Sequence, residues 1–211
     1  MAYDILHSLA FVDNQNIAWA VIAKTVMMVE RMSAADRECW SVGSENERSG
    51  DDDKNKDQDE DEDHANVDRV RIATVLLQEF SFLRLRASDE RQAYEMHKLA
   101  QEATRHSLAH KDRRKEERCF SEVALCVIAA LFPASEREAW AECERYLVHA
   151  QRVADWARLC RCSVEAANLL SRVSDYLYDR GRWREREPVD ERAYEFRKAL
   201  RISNPLTAMS E

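Results

Sequence analysis

The scarcity of residues that break helices constrains this chain more than any other feature of its sequence. The 211 residues contain only three glycines (Gly43, Gly50, Gly181) and three prolines (Pro133, Pro188, Pro205). Ala, Leu, Glu and Arg, which favour helices, are abundant. The composition therefore predicts a mostly α-helical protein, with one medium domain or two small ones and short turns between the helices.

One acidic segment interrupts the helical pattern and carries the net charge of the chain. Between Glu45 and Asp63 there are eleven acidic and three basic residues, a difference equal to the formal net charge of −8. Residues 41–66 contain almost no apolar side chain, so burial there cannot offset the loss of chain entropy. We therefore expect a disordered acidic insert over 41–66, either an inert solvated loop or a docking segment for a basic partner.

Apolar runs and cysteine spacing predict the compartment. No apolar run approaches the roughly 18–20 residues that span a bilayer, and residues 1–4 lack the basic region of a secretory signal. The six cysteines include one close pair, Cys160 and Cys162, which lacks the two-residue spacer of a zinc site. We expect a cytoplasmic protein without membrane association, whose thiols are buried or idle and hold no metal.

The spacing of apolar residues predicts three helices before residue 80. Residues 2–11 form the first helix, with a buried stripe of Tyr3, Leu6, Leu9 and Ala10. Asn16 is a candidate N-cap for the second helix, which runs from Ile17 to about Arg31. A third helix begins at Val67, after the acidic insert.

A β-hairpin and a fourth helix follow the third helix. Residues 80–86 alternate apolar and polar side chains, and residues 93–96 can return as a second strand after a turn over 87–92. His97 then opens a helix whose buried face is expected to hold Leu99, Ala100, Ala103 and Ser107. This order of elements is typical of a winged helix, so we predict a winged-helix-like domain over 1–40 and 67–110.

The remaining chain predicts antiparallel helical hairpins over 111–203, followed by a tail at 204–211. The apolar stripe of the first helix stops at Pro133, and Ser135 with Glu138 forms a capping-box pattern for the next. A helix over 164–178 ends at Gly181, which suits a left-handed C-terminal position. A last helix holds Tyr194, Phe196, Ala199 and Leu200 and closes at Asn204–Pro205.

Several segments, in this order, resemble one known family. Residues 2–17 resemble the start of the winged-helix region of fungal NB-ARC/TPR proteins, which are STAND-type, NLR-like signalling ATPases. Residues 94–103 resemble the Met-His motif that ends that region, and residues 131–150 resemble the helical linker after it. Residues 169–183 are similar to the first helix and turn of a kinesin-light-chain-like tetratricopeptide repeat. The resemblance covers nearly everything outside the acidic insert, and its specificity lies in the order of the motifs.

The resemblance implies a nucleotide contact for His97, because the Met-His histidine of the family contacts the β-phosphate of bound ADP. The chain has Lys98 where family members often have Asp. The alternative is a histidine that is satisfied by the backbone or by solvent. No glycine precedes a lysine, so the chain has no Gly-Lys-Ser/Thr phosphate-binding sequence. We therefore expect no cofactor, no tight ATP or ADP binding by this chain alone, and an ATPase half that is encoded separately or lost.

The tetratricopeptide-like segment departs from the repeat pattern. Ser174 can serve as the small residue of the first helix, but an ungapped alignment places Arg186 where a small residue is expected and Asp190 where an aromatic is. A shift past 188–193 restores Phe196 and Ala199. We therefore expect one degenerate repeat with a long turn, although about three repeats are usually needed for independent stability.

These patterns favour a non-catalytic protein-interaction or regulatory module that resembles the C-terminal half of an NB-ARC/TPR switch. We expect a protein partner, or a second copy of the chain, on the helical array around Tyr176, Tyr178, Trp183 and Phe196. The alternative is a winged-helix nucleic-acid binder that contacts phosphates through Arg69, Arg71, Arg84, Arg86 and Arg91. The adjacent acidic insert would repel nucleic acid. No paired carboxylates, nucleophile elbow or His-Glu zinc pattern points to an enzyme.

Overall fold

The computed structural model describes residues 1–31, 59–88, 91–160 and 162–203. Side chains are described over 1–30, 67–86, 93–160 and 162–200. In chain order, the helices and strands of these ranges are α1 (Ala2–Leu9), β1 (Ile17–Ala18), α2 (Trp19–Arg31), α3 (Asp59–Glu79), β2 (Leu83–Ser88), β3 (Arg91–Met96), α4 (Lys98–Leu108), α5 (Arg114–Leu131), α6 (Trp140–Trp156), α7 (Ser163–Asp179) and α8 (Trp183–Ser203). Short 3-10 turns at Lys111–Arg113 and Arg137–Ala139 precede α5 and α6. The protein is mostly helical, which confirms the predicted fold class.

A three-stranded antiparallel sheet completes the first body, which comprises α1 to α4 and is winged-helix-like. The strand order is β1-β3-β2. The predicted hairpin is β2–β3, in which Leu83 lies opposite Met96. The sequence did not predict β1, in which Ile17 pairs with Tyr94 of β3. Asn16 is therefore not an N-cap: it has a φ of 54° and leads into the strand, so α2 starts at Trp19.

The predicted acidic insert is shorter than expected. Residues 41–58 lie outside the described residues, but residues 59–66 belong to α3, which starts at Asp59 rather than Val67. Acidic residues are favoured in the first turn of a helix because the N-terminal end of its dipole is positive. The prediction of a disordered segment to residue 66 was therefore wrong for its last eight residues.

On the predicted stripe of α1, Leu9 and Ala10 are buried as expected, but Tyr3 is not; the predicted buried face of α4 was mostly wrong. Tyr3 of α1 is exposed and Ile5 is buried. On α4, Leu99, Ala103 and Ser107 are exposed, whereas Gln101, Thr104 and Leu108 are buried.

Two polar side chains of α4 satisfy backbone carbonyls at and just after the end of α1. The Gln101 amide donates to the carbonyls of Leu9 (3.2 Å) and Val12 (2.8 Å). Arg105 donates to the Ala10 carbonyl at 2.5 Å. The last carbonyls of a helix lack partners within that helix, and Gln101 supplies one for Leu9, the last residue of α1.

The second body, a helical array of α5 to α8, starts with a helix whose C-terminal half is largely buried. Val127 and Ile128 of α5 are fully buried. The helix ends at Leu131, as the following Pro133 predicted. Arg172 of α7 donates to the carbonyls of Phe132 (2.5 Å) and Ala129 (2.7 Å), so this helix end is also satisfied by another helix.

The predicted capping box before α6 does not form. Glu138 lies within the 3-10 turn Arg137–Ala139, and the N-cap of that turn, Glu136, makes no side-chain capping bond. The Ser135 hydroxyl donates instead to Asp179 Oδ2 at 2.5 Å. Asp179, at the distant end of α7, thus accepts a hydrogen bond from the hydroxyl that the local pattern assigned to a helix N-cap.

Helices α7 and α8 form a tight hairpin, which contradicts the long turn predicted at 188–193. Gly181, with a φ of 68°, sits between them. Its N–H donates to the Tyr178 carbonyl (2.9 Å), and that of Arg182 donates to Leu177 (2.8 Å), which is a Schellman ending. Pro188 lies inside α8, where it removes one backbone donor. The helix continues because Val189, Ala193 and Phe196 are buried beyond it.

The two bodies share one apolar core. Phe11, after α1, meets Trp156 at the end of α6 edge to face, with ring centroids 5.7 Å apart. The buried His149 of α6 makes a hydrogen bond through Nε2 to the Asn16 carbonyl at 3.2 Å. In the ranges described, no helix is long and apolar enough to cross a lipid bilayer.

Candidate functional site

The four aromatic residues predicted to form one interaction surface do not share a surface. Tyr176 and Phe196 are buried. The Tyr176 hydroxyl donates to Glu144 Oε2 of α6 at 2.6 Å. Burial and this hydrogen bond to a carboxylate raise the pKa of Tyr176 to about 12. Both residues therefore belong to the packing of the array.

Tyr178 and Trp183 are exposed and adjacent, on either side of the turn at Gly181. Their exposed fractions are 50% and 58%. The rings meet edge to face, with centroids 4.8 Å apart. The Arg186 guanidinium lies 4.8 Å from the centroid of the Tyr178 ring, in cation–π contact. This pair is the part of the predicted surface that is open to a partner.

A network of charged residues flanks the aromatic pair. Arg182 pairs with Glu144 of α6 at 2.7 Å and with Glu185 at 2.6 Å. Hydrogen bonding to Glu185 raises the pKa of Arg182 above its ordinary value and lowers the pKa of Glu185. The network joins α6 to the start of α8 and fixes the turn that carries Trp183.

The positions that depart from the repeat pattern form a polar cluster between α7 and α8. The Ser174 hydroxyl donates to Asp190 Oδ1 at 2.5 Å, and Arg186 Nε donates to Ser174 Oγ at 3.0 Å. Arg186 also pairs with Asp190 at 2.9 Å. Because α8 is continuous through these positions, three polar residues occupy this part of the contact between α7 and α8.

A second exposed surface, which sequence reasoning missed, lies on α3. We call Ile72, Val75, Leu76 and Phe80 the α3 stripe. Ile72 is 69% exposed and Phe80 is 67% exposed. The opposite face of α3 buries Val70, Ala73, Thr74 and Leu77 against α1, α2 and β2. The signal was in the sequence, because Ile72, Leu76 and Phe80 recur at helical spacing as a second stripe.

His97 lies at the junction of β3 and α4 and is exposed. It is the N-cap of α4, and its Nδ1 accepts a hydrogen bond from the Leu99 N–H at 3.2 Å. The ring nitrogen that accepts carries no proton, so Nε2 carries it. His97 can therefore donate one hydrogen bond to a phosphate while it caps the helix.

The arginines of the nucleic-acid alternative are partly engaged with acidic partners. Arg69 pairs with Glu30 at 3.0 Å and Arg86 with Glu95 at 3.4 Å. Arg71 and Arg84 are exposed. The side chain of Arg91 lies outside the described residues.

Metal ligands were sought among all the described side chains. These residues include no group of three or more His, Cys, Asp or Glu side chains that could hold a metal ion. Cys126, Cys160 and Cys162 are free thiols, and Cys162 donates a hydrogen bond to Glu122 Oε1 at 3.0 Å.

Comparison with known proteins adds no relative. No family model matches the sequence, and neither a curated protein nor a solved structure matches it.

Proposed function

We propose that this chain is a non-catalytic protein-interaction module, the back half of a switch of the NB-ARC/TPR type. The observation that carries the proposal is the α3 stripe. A helix that is apolar on opposite faces is normally buried on both, and large exposed apolar patches mark binding surfaces. The motif order of the sequence supports the family, and in that reading the stripe receives another protein surface.

The chemistry of α3 favours a protein over nucleic acid as the partner. A helix that reads the major groove presents hydrogen-bonding side chains to the base edges. The solvent face of α3 presents Ile72, Val75 and Leu76 instead. Arg69, which flanks this face, is paired with Glu30. The exposed Tyr178–Trp183 pair offers a second, smaller contact of the same kind.

The test compares binding of a protein partner by matched variants. We expect the double variant Ile72→Glu/Leu76→Glu to lose partners that the unaltered chain retains after cross-linking and mass spectrometry. Val148→Glu and Leu99→Glu, which change exposed apolar residues outside the stripe, should keep them. Far-UV circular dichroism should show that all variants remain folded, because exposed substitutions cost little stability.

Two outcomes would contradict the proposal. One is equal retention of the same partners by the stripe variant and the controls. The other is binding of duplex DNA, measured by fluorescence anisotropy, that falls with added salt and is lost in Arg71→Ala/Arg84→Ala. The second outcome would favour the nucleic-acid alternative.

A further inference from the structure

Strand β2 lies at one edge of the three-stranded sheet, and its outer side has no partner strand among the described residues. The strand order is β1-β3-β2, and within the described chain β2 (Leu83–Ser88) pairs with β3 alone. An edge strand presents a row of N–H and C=O groups to which another extended segment can bind. The outer side of β2 is therefore open to the addition of a strand.

The backbone hydrogen bonds of the hairpin show which residues of β2 face outward. The His97 N–H donates to the Phe82 carbonyl at 3.4 Å, so these two residues form a hydrogen-bonded pair. The next pair, Leu83 and Met96, is of the other type, because the Met96 N–H donates away from β2, to the segment before β1, at 2.8 Å. The two types alternate along an antiparallel ladder, so Leu83 and Leu85 direct their N–H and C=O groups to the free edge. Within the described chain, no other backbone group bonds to them.

The arginines of β2 determine which kind of strand fits this edge. Arg84 and Arg86 share one face of the sheet and are exposed. Arg86 pairs with Glu95 at 3.4 Å, whereas Arg84 has no ion-pair partner among the described residues. A second copy of β2 that paired through the same outward groups would place arginines opposite arginines, which is unfavourable. The charge therefore disfavours self-pairing and favours an acidic segment.

The other face of the edge is apolar. Leu83 is buried there, whereas Leu85 is 44% exposed. Phe82, just before β2, lies near Phe80 of the α3 stripe, with ring centroids 6.4 Å apart. An added strand would place every second side chain beside Leu85 on this face and the intervening ones beside the arginines. The edge thus fits a segment in which apolar and acidic residues alternate.

We propose that an extended segment of a partner protein, with alternating acidic and apolar residues, binds as a fourth strand along the free edge of β2. Main-chain hydrogen bonds to Leu83 and Leu85 supply the affinity, and side-chain contacts with Arg84 and Leu85 supply the specificity. This inference rests on the proposed function, because it states how a protein partner binds, and it adds a second site to the α3 stripe.

The first test measures the binding of synthetic peptides to the full chain by fluorescence anisotropy. The probe is a labelled peptide of alternating valine and glutamate, and we expect it to bind, whereas a peptide of alternating valine and lysine should not. Two more peptides are N-methylated, one at the valines and one at the glutamates, so that they lose N–H groups on opposite edges of the strand. One of them should bind and the other should not. Equal behaviour of these two, or binding of the lysine peptide, would overturn the proposal.

The second test changes the edge of β2 itself. Leu85→Pro removes an outward N–H and leaves the bonds to β3 in place, because proline is tolerated on the open side of an edge strand. It should weaken binding of the valine–glutamate peptide at least about tenfold, and Leu85→Ala, which keeps the N–H, should weaken it less. Arg84→Ala should also weaken binding, whereas Val148→Glu, an exposed residue of α6, should not. Unchanged binding by a Leu85→Pro protein with native circular dichroism would refute the assignment of this edge.

The strand-addition site and the proposed function fail in different ways. If Ile72→Glu/Leu76→Glu loses the cross-linked partners but the valine–glutamate peptide does not bind, the edge of β2 is not a site and the proposed function stands. If the peptide binds to the edge but the stripe variant keeps all its partners, the strand-addition site stands and the α3 stripe does not carry the proposed function.

Discussion

Helices α3 and α7 both carry many apolar residues, but the protein covers those of α7 more completely than those of α3. Helix α7 packs against α5, α6 and α8, and Leu169, Leu170, Val173 and Leu177 are fully buried. Helix α3 packs against α1, α2 and β2 on one side and leaves the α3 stripe exposed on the other. A similar apolar pattern therefore serves a core in the helical array and an open surface in the winged-helix-like body.

The difference shows that the pattern of a helix predicts its faces but not what covers them. Burial of a face requires a neighbouring element, and the neighbour of α7 is the hairpin partner α8. Among the described residues, no element covers the α3 stripe. A helix with an uncovered apolar face stays in place because its opposite face is anchored. Covering the exposed face with a partner lowers the free energy.

The largest effect on the free energy of unfolding is expected when a leucine is replaced by alanine in each of the two helices. Leu170→Ala should lower the free energy of unfolding by about 2–5 kcal/mol, because Leu170 is fully buried and its removal leaves a cavity. Leu76→Ala, at a residue that is 43% exposed, should change it by less than about 1 kcal/mol. Urea unfolding followed by circular dichroism gives both values. Equal losses would show that the α3 stripe is covered in solution.

The next effect is a pH dependence of the free energy of unfolding, and it tests whether the two bodies unfold as one unit. Burial lowers the pKa of His149, which joins α6 to the segment before β1, and it also lowers the pKa of His7. Each histidine therefore binds a proton more readily in the unfolded chain, so stability is complete above about pH 6.5 and falls as the pH decreases below it. Each contributes at most about 1.4 kcal/mol per pH unit.

Urea unfolding at several pH values between about 5 and 7.5 measures this dependence. His149→Gln should reduce the slope, because it removes the group whose pKa burial lowers. A single transition for both bodies is expected, since they share one core. Two separate transitions, or a slope that His149→Gln does not alter, would show that this contact does not couple them.

A smaller effect is expected from the polar cluster that α7 shares with α8. Asp190→Ala should cost about 1 kcal/mol, because Ser174 and Arg186 lose their acceptor but solvent reaches the Asp190 side chain. Asp190→Asn keeps an acceptor for Ser174 and should cost less. If both changes are neutral, the cluster fills the helix contact without stabilising it.

Local chemistry was sufficient to predict several elements of the fold. Pro133 and Gly181 marked the ends of α5 and α7, and apolar spacing predicted α6 and the hairpin β2–β3. The features that the sequence did not predict depend on long-range contacts. The strand at Ile17 exists only because β3 lies beside it, and Gln101 of α4 is buried because it donates to carbonyls at and just after the end of α1.

The candidate site was predictable only in part, for a related reason. Tyr176 and Tyr178 are two positions apart on α7, so they point to nearly opposite sides, and only Tyr178 is exposed. The sequence presents both as aromatic residues near a turn. Phe196 is buried because α8 continues through Pro188, which local propensity alone argued against. The hydrogen bond from Cys162 to Glu122 joins the residue before α7 to α5, so only the fold brings these two residues together.

The smallest effect is expected at His97, the candidate phosphate contact of the winged-helix-like body. His97→Ala removes the Nδ1 acceptor of the α4 N-cap and should cost about 0.5–1 kcal/mol. We expect it to leave nucleotide binding unchanged, since the chain alone should bind neither ATP nor ADP tightly. Tight binding needs a glycine-rich loop, a lysine and a magnesium ligand together, and one histidine supplies a single donor. Calorimetry with magnesium nucleotides compares the two proteins. Micromolar binding that disappears in His97→Ala would make the winged-helix-like body a nucleotide site as well as an interaction surface.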